Sequence, residues 1–225
     1  MTPVPPAAPT DDLTLDEVRA RLAPGIASNA AFDGWTDAAR DFAAEAEGID
    51  RDVAALAFQG GAVAMIDAWF DHVDTAMARA CPPETLAACK IRERIAALVE
   101  ARLAVLAPDR EALRRALAVL ALPTNVARAA RLGWRSADRM WRLAGDTATD
   151  YNHYTKRAML LGVYAATITV FLDDDSEDHA DTRAFLSRRI DDIMRIEKAK
   201  AGALKRAQHR PSLSRFIGRL RYPVA

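Results

Sequence analysis

Residues 145–193 read GDTATDYNHYTKRAMLLGVYAATITVFLDDDSEDHADTRAFLSRRIDDI, and the fold turns on this stretch. Thr147 and Asp150 have the spacing of a capping box, in which each side chain satisfies an orphan amide of a helix's first turn. The helix predicted after them runs to about Leu172. Its second part, Ala158 to Leu172, carries no charge. That falls short of the roughly 20 apolar residues of a membrane span, and it predicts a helix buried on all sides. Such a helix is the centre of a helical core or the wall of an apolar cavity. In the first part, Asp150, His153, Tyr154 and Arg157 fall at i, i+3, i+4 and i+7, on one face. Tyr and Arg favour the centres of interfaces. The spacing fits a contact surface, and equally a solvated helix start with local ion pairs. After Leu172 the run Asp173–Asp178 breaks the helix. An amphipathic helix follows from near Asp178, with Ala184, Phe185, Ile190, Ile193 and Met194 as apolar positions.

Outward from this stretch the chain reads as all-α. Ala and Leu dominate a composition that is 51% hydrophobic, glycine is scarce and β-branched runs are few. No repeat of fixed period points to a solenoid, and about nine helices fit the length. Residues 1–12 are a Pro-rich tail predicted to be disordered. Thr14 and Glu17 cap a first helix. A second helix is predicted from Asp37 to Ala46 and a short one from Arg51 to Phe58, which is the outline of a helix-turn-helix within residues 13–80. Residues 1–80 carry 14 acidic and 5 basic side chains, net −9, and residues 81–225 carry 17 and 26, net +9. DNA binding needs Lys and Arg on phosphates. The would-be recognition helix, DRDVAALAFQ, offers Asp50, Arg51, Asp52 and Gln59 instead, so no nucleic acid is expected as a partner. Further helices are predicted over Gly61–Ala80, Glu84–Leu106, from Pro108, over Asn125–Leu132 and again after Gly133.

No catalytic constellation stands out. Asp174, Asp175 and Asp178 spell the DDxxD of prenyl-diphosphate enzymes, which need a second acidic cluster to share the Mg²⁺ ions. Asp191 and Asp192 lack the spacing, and an acidic loop capping the next helix is the plainer reading. The histidines, His72, His153, His179 and His209, form no metal-ligand spacing. No nucleophile elbow, P-loop or dinucleotide fingerprint occurs. No cofactor and no metal are expected, and the chain reads as a non-enzyme. Cys81 and Cys89 form neither a disulfide framework nor a metal pair, which fits a reducing compartment. Trp134, Trp141, Met159, Leu161, Tyr164 and Phe171 are sufficient to line an apolar cavity or to fill a core, and periodicity fits both.

The pattern AGDTATDYNHYTKRAMLLGVYAAT, the acidic break, and then DTRAFLSRRIDDIM resemble the ninth coenzyme-Q biosynthesis protein family. Weaker resemblance extends from about Val18 over most of the chain. The resemblance implies a TetR-like helical bundle that is a homodimer through its last two core helices. It also implies a lipid cavity, here lined by the six residues above within residues 81–194, for an isoprenoid quinone or a phospholipid. The partner it implies is the di-iron hydroxylase of demethoxyubiquinone, met by Asp150, His153, Tyr154 and Arg157. Arg157 stands where the family meets a phospholipid headgroup, and His153 where the family carries Trp. The alternative on the same fold is a TetR-like transcriptional regulator with a hydrophobic ligand pocket.

Residues 195–225 hold nine basic residues from Arg195 to Arg221 against one acid, Glu197. Leu213, Phe216, Ile217 and Leu220 recur at helical spacing, with Arg215 and Arg219 opposite. An apolar face with a basic flank predicts docking on a membrane surface, and family members are similar in carrying a terminal amphipathic helix. The first residues show neither a signal peptide nor an Arg-rich transit sequence. Together with the Ala/Arg bias, this gives the expectation of a bacterial cytoplasmic protein on the inner face of the membrane.

Overall fold

The structure, a computed structural model, describes residues 13–208 apart from Ala148 and Asp150. The Thr147–Asp150 capping box and the terminal motif of Leu213, Arg215, Phe216, Ile217, Arg219 and Leu220 therefore lie outside the described residues. Within them every regular element is helical. The helices are α1 Leu15–Asp33, α2 Asp37–Ala46, α3 Arg51–Ala57, α4 Ala62–Ala80, the single turn α5 Pro83–Ala87, α6 Ile91–Leu106, α7 Arg110–Leu120, α8 Val126–Leu143, α9 Tyr151–Leu172 and α10 Ala180–Gln208.

Local chemistry sets most of these boundaries. Thr14 accepts from the Glu17 amide while Glu17 accepts from the Thr14 amide, the reciprocal pair of a capping box. Thr36 caps α2 and Asp50 caps α3. Gly48 after α2 takes φ 65°, a left-handed position that costs glycine little. Helices α1 to α3 pack on one another, and α1 also packs on α4 and α7. The N-terminal unit thus shares its core with the rest. Trp35 donates its indole N–H to the Ala112 carbonyl at 3.1 Å, and its ring lies 5.3 Å from that of Trp69. Behind it, α4 packs on α6 and α8, α8 on α9, and α10 on α9 and α6.

Four expectations need correction. The helix predicted over Glu84–Leu106 breaks between Ala87 and Ile91, where no Pro or Gly marks the break. Arg94 is what the break serves, because its guanidinium gathers the carbonyls of Ala87, Cys89 and Ala144. Conversely, α8 runs unbroken through Gly133. A Cβ there would lie 2.5 Å from Cδ1 of Leu161, so the glycine allows the close approach of α8 to α9. The helix after the acidic break starts at Ala180 and continues past Met194 and Arg195 to Gln208.

The fourth correction concerns α9, which is not buried all round. Leu160, Tyr164, Ile168 and Phe171 are buried, while Ala158, Gly162, Ala165, Ala166 and Thr169 stay exposed. With its polar first turns included, Asn152–Leu172 is long and apolar enough to cross a membrane by length and composition, yet α9 packs here against α8, α10 and α6.

Candidate functional site

A cavity of about 490 Å³ lies among α6, α7, α8 and α9, with Phe70 of α4 at its inner end. Small-molecule sites typically measure roughly 300–1,000 Å³. Leu117 and Leu120 of α7 form one wall, Ala129 and Gly133 of α8 another, and Leu161 and Ile168 of α9 a third. The mouth is marked by exposed Ala121, Val126, Ala130, Ala165 and Thr169. The floor is polar. Arg102, Ser136 and Tyr164 line it, and all three are buried.

This floor is built from charged residues at core-facing positions. Asp74 follows Phe70 and Val73 on the buried side of α4, and Arg102 falls among Leu98, Val99 and Leu106 on α6. Asp74 is 0% and Arg102 1% exposed. The Arg102 Nη1 lies 3.2 Å from Asp74 Oδ1, an ion pair without hydrogen-bond alignment. Arg102 Nη2 donates to Ser136 Oγ at 3.0 Å, and Ser136 Oγ donates to Asp74 Oδ2 at 3.0 Å. The guanidinium carbon stands 5.4 Å from the Phe70 ring and 5.2 Å from the Tyr164 ring, within cation–π range. Burial pushes the Tyr164 phenol up to about 12. The Arg102 charge opposes this and the Asp74 charge adds to it.

Of the six residues expected to line a cavity, Leu161 and Tyr164 do so. The other four pack elsewhere. Trp141 donates its indole N–H to the Lys156 carbonyl at 3.0 Å under the Lys156 ammonium. Trp134 lies beside Tyr154, with ring centroids 6.2 Å apart. Phe171 packs between His179 and Arg110. Met159 is half-buried outside the cavity wall. Sequence reasoning missed Asp74, Arg102 and Ser136. The signal available was a charge at a core-facing position of each of two long helices, α4 and α6.

The polar start of α9 lines a second hollow of about 380 Å³ with Arg142, Asp146, Thr147 and Thr149. Its residues do not share one exposed face. Tyr154 is 61% exposed, His153 is half-buried, and Arg157 is 1% exposed. Arg157 is also not available as a phosphate fork. Its Nε binds Asp138, and its Nη1 binds Asp146 at 3.0 Å and the His153 carbonyl at 3.1 Å. Burial works against the Asp146 charge, but hydrogen bonds from Lys156 and Arg157, with their charges, outweigh it. They hold the carboxyl below the usual range. Arg157 therefore ties the α8–α9 connection together.

The acidic break is a joint. Asp174 Oδ1 accepts from the Ser176 amide and hydroxyl, and Oδ2 accepts from the Thr182 amide at 2.8 Å and its hydroxyl at 2.5 Å. Burial raises its pKa, but these four donors outweigh it and hold the carboxyl well below the usual carboxylate range. With both oxygens engaged, Asp174 is a helix cap and not half of a diphosphate clamp.

Comparison with known proteins supports the resemblance read from the sequence. The COQ9 family model matches residues 126–197, which covers α8, α9 and the first part of α10. The rat protein named "Ubiquinone biosynthesis protein COQ9, mitochondrial" is 45% identical over 98 residues, 44% of this chain and 31% of that protein. The human protein of the same name is 44% identical over the same length. A Drosophila melanogaster COQ9 aligns over 196 residues, 84% of this chain and 60% of its own, at 26% identity. The matched segment thus spans about a third of the mammalian relatives. Among solved structures, a TetR transcriptional regulator from Nitrosomonas europaea superposes with a TM-score of 0.62 at 24% identity, over 76% of this chain and 95% of that one. The fold is TetR-like. The expected bacterial cytoplasmic location is overturned, because the rat, human and cattle relatives are named as mitochondrial proteins. Composition and the first residues of the chain do not carry that information.

Proposed function

We propose that this chain, with the COQ9 pattern on its last three helices and a TetR-like fold beneath it, serves ubiquinone biosynthesis as a non-catalytic lipid-binding accessory protein. The observation that carries the reading is the apolar cavity, whose α8 and α9 walls lie inside the segment that matches the family. Each CH₂ moved from water into such a wall contributes about 0.8 kcal/mol, so an isoprenoid chain is a favoured occupant. In this reading the cavity takes a quinone intermediate or a phospholipid and offers it to the demethoxyubiquinone hydroxylase at a membrane surface. Tyr154 is the exposed aromatic contact for that enzyme. Native mass spectrometry of gently purified protein tests the reading. Bound quinone or phospholipid is expected, and protein that emerges free of lipid overturns it.

The TetR-like fold makes transcriptional regulation the second reading. Against it stands the surface of the would-be recognition helix, α3. Arg51 there is paired with Glu45 at 2.9 Å, and Val53 and Leu56 are exposed instead of basic side chains. A gel-shift with upstream DNA at two salt concentrations separates the two readings. Specific, salt-sensitive binding favours the regulator.

A further inference from the structure

We propose that Arg102 is the polar anchor of the apolar cavity and that it selects ligands whose hydrocarbon chain ends in an uncharged carbonyl-type oxygen. The inference rests on the lipid-cavity reading and narrows it. It divides neutral-headed lipids, such as prenylated quinones, from bare hydrocarbons and from phosphate-headed lipids.

Three observations carry it. First, Arg102 lines the floor of an otherwise apolar cavity and is 1% exposed, yet its Nε has no hydrogen-bond partner and its Nη1 meets Asp74 only out of hydrogen-bond alignment. A buried donor without an acceptor is costly and rare. An acceptor on the ligand, reaching the floor of this cavity, removes that cost. Second, the guanidinium is held in place without the ligand. The Phe70 and Tyr164 rings flank it, and Ser136 takes its Nη2. A donor fixed in advance loses little freedom when a ligand binds. Third, the floor is already neutral, since Asp74 offsets the Arg102 charge at 3.2 Å. A carboxylate or phosphate would bring an uncompensated charge into a dry site, whereas a carbonyl oxygen accepts the hydrogen bond and brings none. A bare hydrocarbon would leave the donors unpaired. The Asp74–Arg102 pair lies outside the segment matching the COQ9 model, and Ser136 and Tyr164 lie inside it.

Binding of matched probes to the full chain tests this. The probes are decylubiquinone, an alkane of similar chain length and decyl phosphate. The wild type is expected to prefer the quinone over the alkane by about tenfold, the effect of one buried hydrogen bond, and over the phosphate by at least as much. The double variant Arg102→Met/Asp74→Asn keeps the floor neutral and removes the guanidinium donors. Quinone affinity should fall in it to the alkane level, with alkane affinity unchanged. Equal binding of quinone and alkane by the wild type, or a double variant that keeps the preference, overturns the proposal. Should the variant fail to fold, infrared spectroscopy of the quinone on the wild type decides. Its carbonyl stretch is expected to be lowered relative to the same quinone in alkane solvent, and an unshifted band overturns the anchor. A wild type that binds none of the probes removes the lipid cavity itself, a distinct failure. Preference for decyl phosphate overturns the anchor and leaves the cavity standing.

Discussion

Arg157 shows how much one side chain can hold. Its guanidinium joins Asp138 on α8 to Asp146 in the connection that follows, from a position on α9. Breaking a buried ion pair from one side leaves uncompensated charge, which costs about 3 kcal/mol or more. Arg157→Met should therefore lower the stability measured in urea by about that much, with bound lipid unaffected per folded molecule. A variant as stable as the wild type would show that the two carboxylates find other partners. Tyr154 is its opposite on the same helix, exposed, with the Trp134 and His153 rings beside it. Surface truncations usually cost within about 0.5 kcal/mol, so Tyr154→Ala should melt like the wild type. Its affinity for the hydroxylase is expected to fall by about tenfold or more, as for an aromatic interface anchor. Unchanged affinity in a titration would remove Tyr154 from that interface.

At the scale of elements, the joint between α9 and α10 depends on one carboxylate. Asp174 holds the first turn of α10 through Thr182 and the loop through Ser176. Its folded pKa lies well below the unfolded value of about 3.9. The stability it contributes is thus fully present above pH ~4 and is lost as pH falls through the lower folded value. Asp146 acts in the same direction. In Asp174→Asn, stability at neutral pH should drop by about 1–2 kcal/mol, because two of four donors face an amide NH₂. The loss of stability between pH 4 and 2 should be shallower than in the wild type, as read by thermal melts across that range. Parallel acid limbs would mean that Asp174 is not a source of the acid sensitivity.

For the whole molecule, one exposed apolar feature among the described residues is the outward face of α9. Ala158, Gly162, Ala165 and Ala166 leave it smooth, and Ala184 and Ser187 of α10 are exposed as well. Small residues let helices approach closely, which suits the homodimer expected from the sequence resemblance. A Cβ at Gly162 would meet nothing within 4 Å inside the chain, so the position is open to substitution in one copy. Gly162→Arg should leave the folded chain as stable or more stable, since Gly costs a helix up to about 1 kcal/mol relative to better formers. Sedimentation velocity at micromolar concentration should find wild-type dimer and monomeric variant. A monomeric wild type would remove this face as an interface.

The amino-acid sequence by itself determined the helical class, most helix starts and the segment that matches the COQ9 pattern. Caps such as Thr14 with Glu17, breaks such as Pro82 and Pro123, and the acidic run after Leu172 act within a turn or two of chain, so their physics is written locally. The tertiary structure alone decided the site. Ser136 bonds Asp74 across 62 residues and Arg102 across 34, and Gly133 matters because Leu161 of another helix presses on it. Asp74 and Arg102 stand next to apolar positions in the sequence without a sign of their pairing, and Trp134, Trp141 and Phe171 looked equally fit to line a cavity. Which of them face the empty space depends on how helices far apart in sequence pack, and so does the exposure of one side of the uncharged helix α9. A side chain's burial is set by the surface that meets it, and that surface is chosen only when the whole bundle closes.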